Sequence, residues 1–201
     1  MIPLTTLTGV AAPLLRDNVD TDTIIPSREM RSTGRTGLAD GLFAPWRYSN
    51  ADKRIADPAF VLNHNAFADA PILAVGRNFG CGSSREHAVW ALVEWGIRTI
   101  IGESFAPIFQ QNCVRNGVLP LVLDKAAIAA LAGAEVTIDL AAQTVRCGDM
   151  TWPFAIDAEQ RSMLLEGLDA IDLTLKSLPA IDSWTAADRA LRPWAYLEST
   201  P

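Results

Sequence analysis

The sequence predicts a single mixed α/β domain, with β-rich flanks around a βαβ centre and a helical tail. Three observations predict it. Between residues 72 and 123, short apolar runs alternate with segments of helical periodicity, the pattern of parallel strands joined by crossover helices. Residues 135 to 154 are β-rich and broken by the tight-turn tripeptide Cys147-Gly148-Asp149. Beyond Ala158, apolar residues recur at helical spacing. The 201 residues, 49% hydrophobic and 20% charged, suffice for a substantial core.

The elements follow in order. Residues 7–15 mix alternating and β-branched residues and read as a strand. Asp17-Asn18-Val19-Asp20-Thr21-Asp22 is a polar turn, followed by an apolar run that Pro26 stops. Asp20 and Asp22 could form a metal site or an acid/base pair, but aspartates in such a turn commonly bond nearby backbone N–H groups, and that structural role is the one expected of them. Gly34 and Gly37 flank a polar loop carrying Arg35. Ile72-Leu73-Ala74-Val75 is a buried strand, and residues 84–95 form a helix that Gly96 ends. A strand at 99–101, a helix at 105–115 and a strand at 119–123 complete the centre. A short helix at 125–132 precedes the β-rich flank. In the tail, Met163, Leu164, Leu165, Leu168 and Ile171 supply an apolar face, and residues 186–196 read as a last short helix.

The bulk numbers exclude several functions. A net charge of −6 with no block of Lys or Arg argues against a nucleic-acid surface. No apolar run approaches the roughly 20 residues needed to span a bilayer. The N-terminus lacks the pattern of a signal peptide, so a cytoplasmic location is expected. Cys81, Cys113 and Cys147 are odd in number, far apart and form no C-x-x-C pair, which speaks against a disulfide framework, a structural zinc or an iron–sulfur cluster held by this chain alone. His64 and His87 are too few for a histidine-rich metal site.

The chemistry concentrates in Asn78-Phe79-Gly80-Cys81-Gly82-Ser83-Ser84-Arg85-Glu86-His87. Gly80 and Gly82 let the backbone bend and approach a ligand. Ser83 or Ser84 is a good helix N-cap, and Glu86 suits the positive end of the helix dipole. Unpaired N–H groups at such a helix start attract a carboxylate or phosphate, and Arg85 adds a planar fork that can grip a carboxylate through two hydrogen bonds. The same residues also describe a capped helix after a glycine turn, with Arg85 solvated and His87 packed. The spacing is neither a nucleotide P-loop nor a serine-hydrolase elbow.

That decapeptide, with Ala88, resembles the signature of the aconitase C-terminal swivelling domain, and in particular that of the 3-isopropylmalate dehydratase small-subunit family. The resemblance spans nearly the whole chain. It includes the opening motif from Asp17 to Pro26, Arg35-Thr36-Gly37, Trp46-Arg47, Ser104-Phe105-Ala106 with Ile108-Phe109 and Asn112, Leu119-Pro120, Gly167-Leu168-Asp169 and Leu173-Thr174-Leu175. Val89 stands where the family commonly has proline, and the stretch from Met30 to Gly34 departs from the family's pattern in a loop that meets the substrate's variable group.

The resemblance implies one swivelling domain over residues 1–201 with a C-terminal helical tail, three layers deep (β/β/α) with a mixed sheet. It implies that Ser83 is the base that moves a proton from carbon, a role that requires strong stabilisation of its alkoxide. Ser84 and Arg85, with Gly82 beside them, map to substrate-carboxylate contacts, and Arg35 maps to a second carboxylate-binding arginine. The alternative for Arg35 is a solvated loop residue. Family enzymes polarise the departing hydroxyl with a 4Fe-4S cluster acting as a Lewis acid. Since this chain lacks cluster ligands, a separate iron–sulfur large subunit is expected to carry it, with the active site between subunits. The expected reaction is isomerisation of 2-isopropylmalate to 3-isopropylmalate through 2-isopropylmaleate. The alternatives are the same role on citraconate, dimethylmaleate or homoaconitate, or a stand-alone anion-binding module. Cys81 reads as a small packing residue, and Trp90 and Trp95 as core or interface.

Overall fold

The computed structural model describes residues 1–30 and 34–196. In chain order its elements are β1 (Thr6–Leu14), α1 (Thr21–Ile24), α2 (Ala44–Arg47), β2 (Tyr48–Asn50), β3 (Ile55–Ala56), β4 (Ile72–Val75), α3 (Glu86–Trp95), β5 (Thr99–Gly102), α4 (Pro107–Arg115), β6 (Leu119–Val122), α5 (Lys125–Leu131), β7 (Glu135–Asp139), β8 (Thr144–Cys147), β9 (Met150–Pro153), α6 (Ala158–Glu166), α7 (Ala170–Leu175) and α8 (Leu178–Leu191). Seven strands form one mixed sheet in the order β6-β5-β4-β1-β7-β8-β9, and β2 pairs β3 in a separate hairpin.

Strand β1 joins the two halves of that sheet by changing partner midway. Its C-terminal part pairs in parallel with β4 (Ala11 opposite Ile72, Leu14 opposite Val75). Its N-terminal part pairs antiparallel with β7 (Thr6 opposite Asp139, Val10 opposite Glu135). The parallel half continues through β5 and β6. The antiparallel half continues through β8 and β9, around the predicted turn at Gly148.

Every residue of β4 and β5 is buried, as expected of parallel strands covered on both faces. Alternation along the strands divides the core. Ala12, Leu14, Leu73, Val75 and Ile100 face the cluster that includes Phe79, Leu92 and Phe109. Ala11, Ile72, Ala74 and Ile101 face the cluster with Leu121, Leu131, Val136 and Met163. Each of these Leu, Ile or Val side chains stabilises the fold by about 2 kcal/mol relative to exposure.

The tail departs from expectation. The last helix begins at Leu178 rather than near Ala186, with Pro179 tolerated in its first turn. Helical periodicity continues past Leu164, but burial does not: Ile171 is 69% exposed, and α7 and α8 bury no residue. Leu165 and Leu173 still pack partly against the core, but most of the apolar face beyond them has nothing beneath it among the described residues. Ending the chain after Ser177 is expected to shift the thermal midpoint by less than about 3 °C, since 1 kcal/mol corresponds to roughly 2–4 °C at this size. A scanning-calorimetry shift well beyond that would show that α8 supports the core.

Candidate functional site

Three parallel strands end side by side, and the segments that leave their C-terminal ends build the site. Residues 17–21 follow β1, residues 77–85 follow β4, and residues 103–109 follow β5. Open α/β sheets commonly bind ligands at this end.

The segments are strapped together by short bonds. The Asp17 carboxylate accepts from Arg77 N–H and pairs with its guanidinium, both at 3.0 Å. Asn78 takes left-handed backbone (φ 53°), and its amide donates to Asn18 Oδ1 at 2.8 Å. Gly80 N–H donates to the Val19 carbonyl (2.7 Å), and Thr21 N–H donates to that of Cys81 (2.9 Å). The Thr21 hydroxyl donates to the Ser83 carbonyl at 2.7 Å. On the other side, the Ser104 hydroxyl accepts from Asn78 N–H (2.8 Å), and Ala106 N–H donates to the Phe79 carbonyl (3.0 Å). Asp20 accepts from Thr23 N–H at 2.6 Å and caps α1, the role expected of it.

Gly80 and Gly82 both lie in the left-handed region (φ 76° and 88°). Their surroundings differ. A Cβ on Gly80 would lie 2.1 Å from Phe109 Cγ, whereas one on Gly82 would meet nothing closer than 3.4 Å. Close approach of α4 therefore requires the first glycine, and backbone conformation alone requires the second.

The expected serine cap is not formed. Helix α3 starts at Glu86, its N-cap is Arg85 in extended conformation, and no side chain caps it. The reason is tertiary: Gly82 turns the chain and Thr21 holds the Ser83 carbonyl, so Ser83 and Ser84 pass the helix start with both side chains exposed. Asp22 also departs from expectation. It forms an ion pair with Arg85 Nη1, 63 residues away, instead of bonding local backbone. The pair is largely solvent-facing on the Asp22 side, so it orients the guanidinium more than it stabilises the fold.

Thr21, Gly82, Ser83, Ser84 and Arg85 line a cavity of about 170 Å³. Its opposite wall is the first turn of α4, from Ala106 to Phe109, together with Asn112. Ala106, the N-cap, offers no capping side chain, and Pro107 occupies the start of the helix. The first-turn amides of α4 thus add a second anion-attracting wall that the glycine-rich segment did not disclose. Pro107 was the available signal, marking a helix start. The volume is below the roughly 300 Å³ of a usual small-molecule pocket, as for one side of a larger site.

Arg35 is placed elsewhere. Its guanidinium lies 5.0 Å from the Trp90 ring centroid, and it lines a second cavity of about 570 Å³ with Trp90, Glu94, Arg98 and Arg115. The structure brings Gly82, Ser83, Ser84 and Arg85 together and leaves Arg35 outside that group. Residues 31–33 of the adjoining loop lie outside the described residues. The foot of the loop is held by Glu94: its carboxylate accepts from the N–H groups of Gly37 (2.6 Å), Leu38 and Ala39 (2.8 Å). Burial opposes the charge, but these three donors outweigh it and hold the Glu94 carboxyl below its ordinary value. Among its neighbours on α3, His87 packs its ring on Trp90 at 4.6 Å, and Trp90 Nε1 donates to Asn116 Oδ1 at 3.0 Å.

Among the described residues, no three His, Cys, Asp or Glu side chains gather where they could hold a metal. Cys113 is fully buried and its thiol is pushed well up by burial, Cys81 is half-buried beside the site, and Cys147 lies on β8. The thiols present do not fit a cluster.

Residues 1–126 match the family model of the aconitase C-terminal domain, and residues 126–158 match the model described as LeuD_N. The 3-isopropylmalate dehydratase small subunit of Cupriavidus necator is 53% identical over 98% of this chain and all of that one. Its counterpart from Xanthobacter autotrophicus is 48% identical over 96% of this chain and all of that one. A crystal structure of 3-isopropylmalate dehydratase from Methanocaldococcus jannaschii superposes with a TM-score of 0.67 at 31% identity, covering 90% of this chain and 99% of that one.

Two measurements test this geometry. Gly80→Ala is expected to destabilise the chain by about 3 kcal/mol, combining left-handed strain with overpacking against Phe109, and Gly82→Ala by only about 1 kcal/mol from strain. Denaturant midpoints in the reverse order would contradict the packing described. The lowered Glu94 value makes its tether fully present above the unfolded-state pKa and lost as pH falls through the folded one. The amide-proton shifts of Gly37, Leu38 and Ala39 should therefore titrate together, with one midpoint below the ordinary 4.5. Three unrelated midpoints, or none, would count against a shared acceptor.

Proposed function

The chain belongs to the 3-isopropylmalate dehydratase small-subunit family of aconitase-type hydro-lyases, and from that premise we propose that residues 82–85 form half of its active site. The activity is isomerisation of 2-isopropylmalate to 3-isopropylmalate through 2-isopropylmaleate, in leucine biosynthesis. Its small-subunit character implies a large-subunit partner. The observation that carries the reading is the open cavity where Ser83, Ser84 and Arg85 stand between two helix starts.

In this reading the Ser83 hydroxyl, exposed at the cavity mouth, acts as the alkoxide that takes the proton from the substrate carbon on dehydration and returns it on rehydration. The arginine beside it and the uncapped first turns of α3 and α4 favour negative charge there, and the effect grows once a partner excludes water. Ser84 and the backbone at Gly82 bind a carboxylate with Arg85, whose guanidinium Asp22 holds in register. Arg35 grips the second carboxylate in the assembled enzyme. The large subunit carries the 4Fe-4S cluster, since the three thiols here are dispersed. No described helix is long and apolar enough to cross a membrane, and a cytoplasmic site of action is proposed. The named relatives support isopropylmalate over citraconate, dimethylmaleate or homoaconitate.

The isolated chain is expected to be inactive, and addition of an iron–sulfur large subunit should restore turnover. Turnover by this chain alone would overturn the division of labour. In the reconstituted complex, Ser83→Ala should lower kcat by at least about 100-fold while leaving co-elution of the subunits intact. Near-normal turnover would remove Ser83 as the base. Arg85→Lys keeps the charge and loses the fork, so KM should rise more than kcat falls.

A further inference from the structure

Glu94 occupies the last turn of α3, where the negative end of the helix dipole disfavours a carboxylate. Its position is explained by what it holds. Oε1 accepts from Gly37 N–H at 2.6 Å, and Oε2 accepts from Leu38 and, at 2.8 Å, from Ala39. The carbonyls of the same stretch are held from the other side: Arg47, only 6% exposed, donates to the Ala39 carbonyl at 2.7 Å and to that of Leu42 at 3.4 Å. The segment after Arg35-Thr36 is thus clamped between a carboxylate of α3 and a guanidinium of α2. Arg35 itself lies over Trp90, one turn before Glu94 on the same helix.

We propose that Glu94 is a positioning residue, which fixes the foot of the Arg35 loop to α3 and so sets where Arg35 stands relative to Ser83 and Arg85. The proposal rests on the reading that Arg35 binds a substrate carboxylate. Helix α3 is the common ruler. It starts directly after Arg85, and its ten residues span about 15 Å, so one rigid element carries one arginine at its head and the anchor of the other near its end. A loop flanked by Gly34 and Gly37 loses much freedom on ordering, and three anchored amides meet part of that cost before substrate arrives. Only a carboxylate serves three donors with two oxygens. A glutamine in its place offers one acceptor and a donor that faces N–H groups.

The test is a double-mutant cycle in the complex reconstituted with the large subunit, using Glu94→Gln, Arg35→Ala and both together. Glu94→Gln is expected to raise KM for isopropylmalate about tenfold with kcat within about twofold, and to add less than about twofold in the Arg35→Ala background. An unchanged KM in Glu94→Gln alongside a raised KM in Arg35→Ala overturns the clamp alone. A normal KM in Arg35→Ala overturns the Arg35 reading and this proposal with it. Full additivity in the double variant shows that Glu94 acts otherwise and also overturns it. A purely structural role would lower the thermal midpoint and kcat in both backgrounds alike. Independently of folding in the variants, hydrogen exchange of the wild-type chain should be slow at Leu38 and Ala39 and fast at Thr36. Fast exchange at all three positions would remove the clamp.

Discussion

The site depends on one constraint: the parallel pairing of β1 with β4 forces residues 17–21 and 77–85 to leave the sheet at the same end. Neither segment forms a strand or helix before α1 and α3 begin. Each satisfies its backbone through the other, by the bonds from Gly80 to Val19, from Thr21 to Cys81 and from the Thr21 hydroxyl to Ser83. A backbone group left unpaired there would carry its desolvation cost alone, so the motif from Asp17 to Asp22 and the glycine-rich segment form one unit in two pieces. Register matters accordingly. Shifting β1 by one residue against β4 would exchange Ala12 and Leu14 for Ala11 and Pro13 on the core face, and would move Thr21 away from Ser83.

The partner switch within β1 ties this unit to both halves of the sheet. The strand is held in parallel on one side and antiparallel on the other, so its C-terminal end, where the site begins, is continuous with a strand anchored at both ends. Strands β4 and β5, whose ends carry most of the site, are buried on both faces, while α7 and α8, remote from that pairing, bury no residue.

Much of this was legible in the sequence, for identifiable reasons. Strands β4, β5 and β6 and the helices between them follow from periodicity, and Gly96 stops α3 as its type predicts. Gly80 and Gly82 are required where expected, although only the structure shows that Gly80 answers to the Phe109 ring. What could not be read has its cause far along the chain. Serine propensity favoured a cap at Ser83 or Ser84, but Thr21 claims the Ser83 carbonyl from 62 residues away. Asp22 resembles any turn aspartate until Arg85 is placed opposite it. Glu94 carries no signal in the sequence, because the amides it binds lie 55 to 57 positions earlier. Propensity is local, and each of these roles is set by tertiary contact.

The pairing of Asp22 with Arg85 also bears on how an acidic chain presents a site for a dianion. Asp22 lowers the positive potential near the cavity, which at first sight opposes carboxylate binding. The geometry resolves the conflict. Asp22 engages Nη1, while the guanidinium has two further nitrogens whose N–H groups can form a planar fork toward a carboxylate. An exposed pair adds little to stability, so its main effect is to remove rotational freedom from a long side chain before substrate binds. When a partner covers the site and the effective dielectric falls, attraction to both carboxylates strengthens together. On the proposed reading of Arg85, the arginine then bridges the protein's own acid and the substrate's, and a side chain fixed on one side can discriminate the position of what binds on the other.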